Sequence, residues 1–307
     1  MLFGILALLT VGASWSLVGV VMSSGPKNGI EVPPIQLTNA FFAMVFSALI
    51  AVISGQMTSV ELPVLLLGTG IYFVAGFLDC LGMRCLAEGM KRGPNGIVWA
   101  IMQSALVFPF LVGIFFFGVE LTIFRGIGIL LLLSALIFFG ASQDNNQKDK
   151  LSGRGSWRFW AFLALALISV QQNLTATPSY YPALQEISPV VRALASITGC
   201  LVGALPGQVG KGFFKEFSGV IRRKCFWIYI GILQMISLPL AYFLMYPGLD
   251  AMANAGAGAI SYPMMVGSCI IGFSLYSIVV LKEKVSKLQI LGMLFCLGGL
   301  ICLCFPA

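Results

Sequence analysis

Long apolar runs separated by short polar breaks recur from one end of the chain to the other. Crossing a hydrocarbon core of ~30 Å takes roughly 20 apolar residues in a helix, and the backbone there must satisfy its own hydrogen bonds. No run shows the period-two alternation of an outer-membrane barrel strand. The pattern predicts an all-α integral membrane protein with ten transmembrane helices, near 3–22, 35–54, 62–86, 94–118, 121–141, 157–177, 187–208, 225–246, 256–281 and 285–305.

One part of this pattern is written twice: the stretch from Pro94 to Gly140 returns from Gly258 to Phe305. In the first copy Pro94, Asn95 and Gly96 open an apolar run to Gly118, a break carries Glu120, Thr122 and Arg125, and a second run starts near Gly128. In the second copy Gly256 and Gly258 open a run to Leu281, the break carries Glu283, Ser286 and Gln289, and Gly292 starts the last run. Thr122, Arg125 and Gly128 keep the spacing of Ser286, Gln289 and Gly292, with one residue of slippage at the glutamates. The longest polar stretch, 142–156 (SQDNNQKDKLSGRGS), reads as a solvated linker between a first five-helix repeat, 1–141, and a second, 157–307. An odd number of crossings per half sends the second copy into the membrane from the opposite face. The halves are therefore expected to be inverted repeats, an arrangement that in secondary transporters puts the substrate site near the midplane between them.

Composition agrees: 59% hydrophobic and 9% charged residues, with mean hydropathy +0.97, leave too little polar surface to cover a soluble globule. Leu2 to Val11 has the length of a signal-peptide core. However, no Lys or Arg precedes it, the apolar run continues to Met22, and no small-x-small cleavage site follows, so it reads as the first membrane helix. The net charge of +7 is explained by topology rather than by nucleic acid. Sixteen of the eighteen Lys and Arg lie at or near the loops after helices 1, 3, 5, 7 and 9, and only Arg125 and Arg192 lie near the other side. The positive-inside rule then makes those loops cytoplasmic, with both termini outside, in a multi-pass protein of the plasma (inner) membrane. The eight cysteines sit mostly inside apolar runs and the chain has no His, so they read as small apolar fillers, with no metal or cofactor expected.

The paired pattern, E-x-T-x-x-R-x-x-G at Glu120 to Gly128 and E-x-x-S-x-x-Q-x-x-G at Glu283 to Gly292, each after a helix opened by Gly or small residues, resembles the two repeats of the drug/metabolite transporter superfamily. The chain is similar in architecture to its EamA-like ten-helix members over nearly its full length. Gly82-Met83-Arg84-Cys85-Leu86, and the stretch from Ser261-Tyr262 to Leu281-Lys282-Glu283, look like the sugar-porter branches, including the rhamnose–proton symporters. The resemblance implies transport of a small polar solute. It departs in one respect: bacterial ten-helix members are commonly drawn with both termini in the cytoplasm, and here the loop charges say the reverse.

Polar residues deep in apolar helices need a partner, a cavity or a use, because a charge at the midplane costs roughly 2.5–3.5 kcal/mol. Asp79, inside the third helix among Phe77, Leu78, Cys80 and Leu81, is either a coupling carboxylate or substrate ligand, or half of an interfacial pair. Arg84 and Glu88, four apart, neutralise each other as a structural pair or as a gate. Asn95, Trp99 and Gln103 recur every fourth residue up the fourth helix, a stripe suited either to stacking on and hydrogen-bonding a sugar or flat solute, or to helix–helix bonding. Ser261 and Tyr262, with Ser268, Cys269 and Tyr276, line the inverted counterpart, and Tyr262 is expected opposite Trp99. Ser169, Gln172 and Asn173 of the sixth helix are expected to meet Ser14 and Trp15 across the cavity. Trp157, Trp160 and Trp227 read as interfacial belt residues, Gly199, Gly203 and Gly207 as a packing stripe, and Arg192 as snorkelling or pairing near Glu186.

These readings point to a secondary active transporter of a small polar organic solute by alternating access, with proton coupling through Asp79 preferred and sodium coupling open. No Walker-type motif for an ATP-driven pump occurs. An exporter of amino acids, nucleosides or cationic drugs, and a non-transporting receptor or scaffold, are the alternatives. An enzyme is not expected, because there is no His and the eleven carboxylates are mostly isolated or in loops. Oligomeric state is left open.

Overall fold

The computed structural model describes residues 1–30, 32–55, 60–92, 95–144, 157–205, 213–279 and 286–305. Among them the chain is helical with no strand. Eight stretches are long and apolar enough to cross a membrane: Leu2–Val21, Val32–Ile53, Leu62–Met90, Val98–Phe117, Trp157–Tyr180, Lys224–Asn254, Gly258–Tyr276 and Lys287–Cys304. The two remaining predicted runs, 121–141 and 187–208, hold the shorter apolar helices Ile123–Phe138 and Pro189–Ala204. Several long apolar helices of this kind fit a multi-pass membrane protein. Residues 145–156 of the expected linker, Gly207 and Glu283 lie outside the described residues.

In chain order the helices are α1 (Leu2–Lys27), α2 (Val32–Ile53), α3 (Leu62–Arg92), α4 (Asn95–Gln103), α5 (Val107–Phe117), α6 (Ile123–Asp144), α7 (Trp157–Ala176), α8 (Pro182–Gln185), α9 (Pro189–Ala204), α10 (Phe213–Ile221), α11 (Lys224–Met235), α12 (Tyr246–Asn254), α13 (Ser261–Val279) and α14 (Lys287–Cys304). The fourth predicted run is broken at the 3₁₀ turn Ser104–Leu106. Pro109 explains the break: it has no N–H for the Ala105 carbonyl, and its ring crowds that carbonyl. Gly118 then closes α5 in the left-handed region at φ 63°, with the Val119 N–H on the Gly113 carbonyl at 3.0 Å.

The eighth run needs a larger correction. Its expected end falls at residue 246, where Tyr246-Pro247-Gly248 carries local stop signals. Instead the chain passes from α11 through a π-helical segment, Ile236–Met245, that contains Pro239, and continues as α12 to Asn254. Pro247 falls in the first turn of α12, where a missing N–H costs little.

Most of the packing is helix on helix at close range. α3 lies against both α7 and α9, α1 along α13 and α12, α6 against α14 and α4, and α2 against α9 and α11. The α3–α9 crossing is the tightest. A methyl group on Gly76 would meet the Ser196 backbone, one on Gly199 the Phe73 carbonyl, and Gly203 faces Phe77 and Cys80 at 3.1 Å. The reading of Gly199 and Gly203 as a packing stripe holds. At the α6–α14 crossing Gly128 and Gly299 face each other reciprocally, each placing its carbonyl 2.9 Å from where the other's Cβ would be. Lipid tails are as apolar as these side chains, so such approach, rather than exclusion from water, holds the helices together.

The repeated Thr122/Arg125 and Ser286/Gln289 pattern proves to be a pair of helix caps. The Arg125 N–H donates to Thr122 Oγ1 at 3.2 Å, and the Gln289 N–H donates to Ser286 Oγ at 3.2 Å. The Ser286 N–H returns to Gln289 Oε1 at 2.8 Å, completing a capping box, while Arg125 Nη1 reaches the Glu120 carbonyl at 2.7 Å. Ser286→Ala is expected to cost about 1 kcal/mol and to lower the melting temperature of the purified protein. An unchanged melting curve in that variant would show the cap to be idle.

The buried apolar side chains divide unevenly along the bundle. One cluster, including Leu8, Tyr72, Leu106, Tyr246, Leu249, Tyr262 and Met265, fills the middle and reaches the end where α1 begins and α12 finishes, and a separate small one of Leu184, Ile187 and Val191 sits at that same end. Towards the other end the core also splits. Val21, Ile30, Ile35, Phe226 and Ile230 join α1, α2 and α11, while Cys85, Leu86, Val98, Met102, Ala161 and Ile168 join α3, α4 and α7.

Candidate functional site

Asp79 stands on α3 between Gly76, which faces Ser196 of α9, and Gly82, which faces Leu167 and Ile168 of α7. Two neighbouring helices therefore clasp α3 at the depth of this carboxylate. Asp79 is half-buried and makes no hydrogen bond or ion pair with a described residue. A carboxylate left uncompensated among apolar helices is costly, which makes Asp79 a candidate for a functional role. Tyr246 of α12 and Tyr262 of α13 lie within electrostatic reach of its charge.

Those tyrosines anchor an aromatic and polar layer. The Trp15 ring of α1 meets Tyr262 with centroids 6.5 Å apart and planes tilted by 40°. Tyr262, only 2% exposed, faces Thr175 and Gln171 of α7, which are themselves joined at 3.2 Å. Tyr246 packs edge-on against Tyr72 at 5.3 Å and faces Ser196. Three polar atoms of the interior, the Tyr72 hydroxyl, Gln172 Oε1 and the Ser261 hydroxyl, are buried without a hydrogen-bond partner. The arrangement offers one acceptor carboxylate, aromatic faces and uncommitted polar groups. Such a set can hold a small solute by stacking and hydrogen bonding.

Of the residues expected at a site, Asp79, Trp15, Tyr262, Ser261 and Gln172 belong to this interior. The expected partnership of Tyr262 with Trp99 is corrected: Tyr262 meets Trp15, and Trp99 packs into the separate α3–α4–α7 cluster. Gln103 is buried at the end of α4, and Asn95 opens that helix, its side chain lying outside the described residues. Asn173 bonds within its own helix. Its Nδ2 donates to the Ser169 carbonyl at 2.8 Å and its Oδ1 is buried without a partner, while with Phe108 and Val170, both exposed, it also lines a groove of about 380 Å³. Gln171 and Thr175 take the inward role expected of Asn173, and Ser14 bonds to the Thr10 carbonyl of its own helix at 2.8 Å.

The Arg84–Glu88 pair is not formed. Arg84 donates to the Ala204 carbonyl at the end of α9, where the last carbonyls have no partner within their own helix, and Glu88 pairs with Arg92 at 2.9 Å. The Arg92 guanidinium also lies over Trp160, 5.2 Å from its centroid. All eight cysteines are free thiols.

An ion pair absent from the sequence reading lies at the end of the bundle where α1 begins. Arg192, expected near Glu186 at the interface, is 0% exposed and donates from Nη1 to both Asp250 oxygens, at 2.8 and 2.9 Å. Its Nε reaches the Ile187 carbonyl at 2.7 Å and its Nη2 the Gln185 carbonyl at 2.6 Å, while Tyr246 stacks 5.9 Å away. Just outside, the side-chain amides of Gln185 and Asn254 bond to each other at 3.0 and 3.2 Å. Two isolated, opposite charges in apolar surroundings were the available signal, and the premature end assigned to the eighth helix hid it.

No protein-family model matches the chain, and no curated protein does. Among solved structures, 18 chains match in fold. One, described as "Crystal structure of protein", superposes with a TM-score of 0.67 over 97% of this chain and 94% of its own, at 15% identity. That likeness establishes a shared all-helical fold and carries nothing about activity.

Proposed function

We propose that the protein is a secondary active transporter of a small polar organic solute, a sugar or related metabolite, working by alternating access with protons coupled through Asp79. The observation that carries this reading is Asp79 itself: a half-buried carboxylate with no hydrogen bond or ion pair to a described residue, at the depth where α3 is clasped by α7 and α9 and within electrostatic reach of Tyr246 and Tyr262. Two inverted five-helix repeats, and kinship with the EamA-like drug/metabolite transporters, draw support from the packing. Exchanging the first five predicted helices with the last five maps α1 on α13 onto α7 on α4, maps α3 on α7 onto the α12 region on α1, and maps the α6–α14 crossing onto itself. In this reading the chain crosses the plasma (inner) membrane ten times, with the basic loops in the cytoplasm and both termini outside.

The aromatic faces of Trp15 and Tyr262 near a lone carboxylate also favour a second reading, export of an organic cation. A screen of the purified protein for ligand-induced thermal stabilisation, with sugars, amino acids, nucleosides and organic cations at several pH values, separates the two. A sugar that stabilises the protein, less so in Trp15→Ala, and that moves down a proton gradient in vesicles supports symport. Stabilisation by hydrophobic cations alone selects the exporter, and a well-folded sample that moves none of these solutes sinks both.

A further inference from the structure

The α3–α9 crossing carries two cysteines, one on each helix. Phe73, Gly76, Phe77 and Cys80 share one face of α3, and Ser196, Gly199, Cys200 and Gly203 share one face of α9, each set at three- and four-residue spacing. The glycines let the faces meet closely: the Cβ that Gly203 lacks would stand 3.1 Å from both Cys80 Cβ and the Phe77 carbonyl. Here the Cys80 and Cys200 thiols are hydrogen-bonded to each other.

A disulfide needs its two Cβ atoms about 3.5–4.5 Å apart. With the thiols already in contact between helices whose backbones touch, closing the bond asks for side-chain rotation rather than helix movement. Cys269 and Cys296 are placed differently. They lie near each other on α13 and α14, but the Cys296 thiol is committed to the Gly267 carbonyl at 3.3 Å.

The surroundings bear on reactivity. Arg84, bonded to the Ala204 carbonyl, lies within electrostatic reach of both thiols, as does Asp79. A nearby cation favours the thiolate, the reactive form, and the carboxylate opposes it. Cys80 is 1% exposed and Cys200 half-buried. Cys200 stands four residues before the last residue of α9, ~6 Å along the helix, so the pair is near an end of the span rather than its middle.

We propose that Cys80 and Cys200 are a redox-active pair that a hydroperoxide closes into an intramolecular disulfide, stapling α3 to α9 beside Asp79. One thiolate attacks the peroxide, whose O–O bond breaks: one oxygen leaves as the alcohol and the other stays on sulfur as a sulfenic acid. The second thiol displaces that oxygen as water and the S–S bond forms. In total the thiols give up two electrons and two protons, and the peroxide takes both. A thiol reductant reverses the bond by exchange.

The test is a thiol count and a peptide map of the full chain in lipid nanodiscs, before and after tert-butyl hydroperoxide. Denatured and alkylated, the protein is expected to fall from eight reactive thiols to six. The peptide holding Cys80 should be joined to that holding Cys200, two hydrogens lighter than their sum, and dithiothreitol should restore all eight thiols. The melting temperature should rise by several degrees on oxidation, because a cross-link between distant segments constrains the unfolded chain. Cys200→Ala should lose both the link and the rise. Eight surviving thiols, a link at Cys269–Cys296 or between two molecules, a loss that dithiothreitol does not reverse, or a melting temperature that does not rise each overturns the pair. Should Cys200→Ala fail to fold, the wild-type peptide map decides alone. None of these readouts needs flux, so the pair stands or falls apart from the transport reading.

Discussion

Gly199→Leu is expected to leave almost no folded protein in the membrane. At this crossing the obstacle to a side chain is backbone: a Cβ on Gly199 meets the Phe73 carbonyl, and one on Gly76 of the facing helix meets the Ser196 backbone. A flexible neighbour could rotate away; a helical carbonyl can move only with its whole helix. Displacing α3 from α9 would also disturb its contact with α7, because α3 packs against both. Overpacking a core costs about 1–3 kcal/mol where side chains can adjust, and here the cost lies at or beyond the top of that range, against a total stability of about 5–15 kcal/mol. The check is the yield of monodisperse protein on size exclusion, with Gly70→Leu as control. Gly70 lies on the facing helix α3 with nothing within 4 Å of its would-be Cβ, so that variant should purify like the wild type. A monodisperse Gly199→Leu with an unchanged melting temperature would contradict the tight α3–α9 crossing.

The fold was legible where it depended on local pattern. Apolar length located the helices, and the four-residue spacing of Gly199 and Gly203 located a close crossing. The paired Thr122/Arg125 and Ser286/Gln289 pattern was visible too, although its immediate physical content is helix capping rather than recognition of a solute. What was hidden depended on tertiary continuity. Tyr246-Pro247-Gly248 carries local stop signals, yet a π-helical segment delivers Pro247 to the first turn of another helix, and only that continuation brings Asp250 to Arg192. Tyr72 looks like any aromatic in an apolar run, and its unpaired hydroxyl appears only once α9 and α12 are packed around it. Rotation about a helix axis was the other weak point. Stripes on the fourth and sixth predicted helices were recognised, but which residue faced which neighbour was decided by packing, so Trp99 joined a separate cluster while Gln171 and Thr175 came to face Tyr262.

Asp79→Asn is expected to abolish uphill accumulation while leaving solute exchange intact. A proton gradient of one pH unit supplies about 1.4 kcal/mol, enough for about tenfold accumulation if one proton moves with each solute. The transfer needs a group that alternately binds and releases a proton within the path, and in the proposed mechanism that group is Asp79, which makes no hydrogen bond or ion pair with a described residue. Asn keeps the shape and the hydrogen-bonding carbonyl but cannot titrate. Because no ion pair is broken, no opposite charge is left stranded, so the variant should fold with wild-type stability or better. In vesicles with a pH gradient its accumulation should fall to the level of passive equilibration. Counterflow of labelled solute, which needs binding and gate movement but no net proton transfer, should persist. Asp79→Glu should retain part of the accumulation. Loss of both activities would make Asp79 a ligand of the solute, and retention of both would remove it from the mechanism.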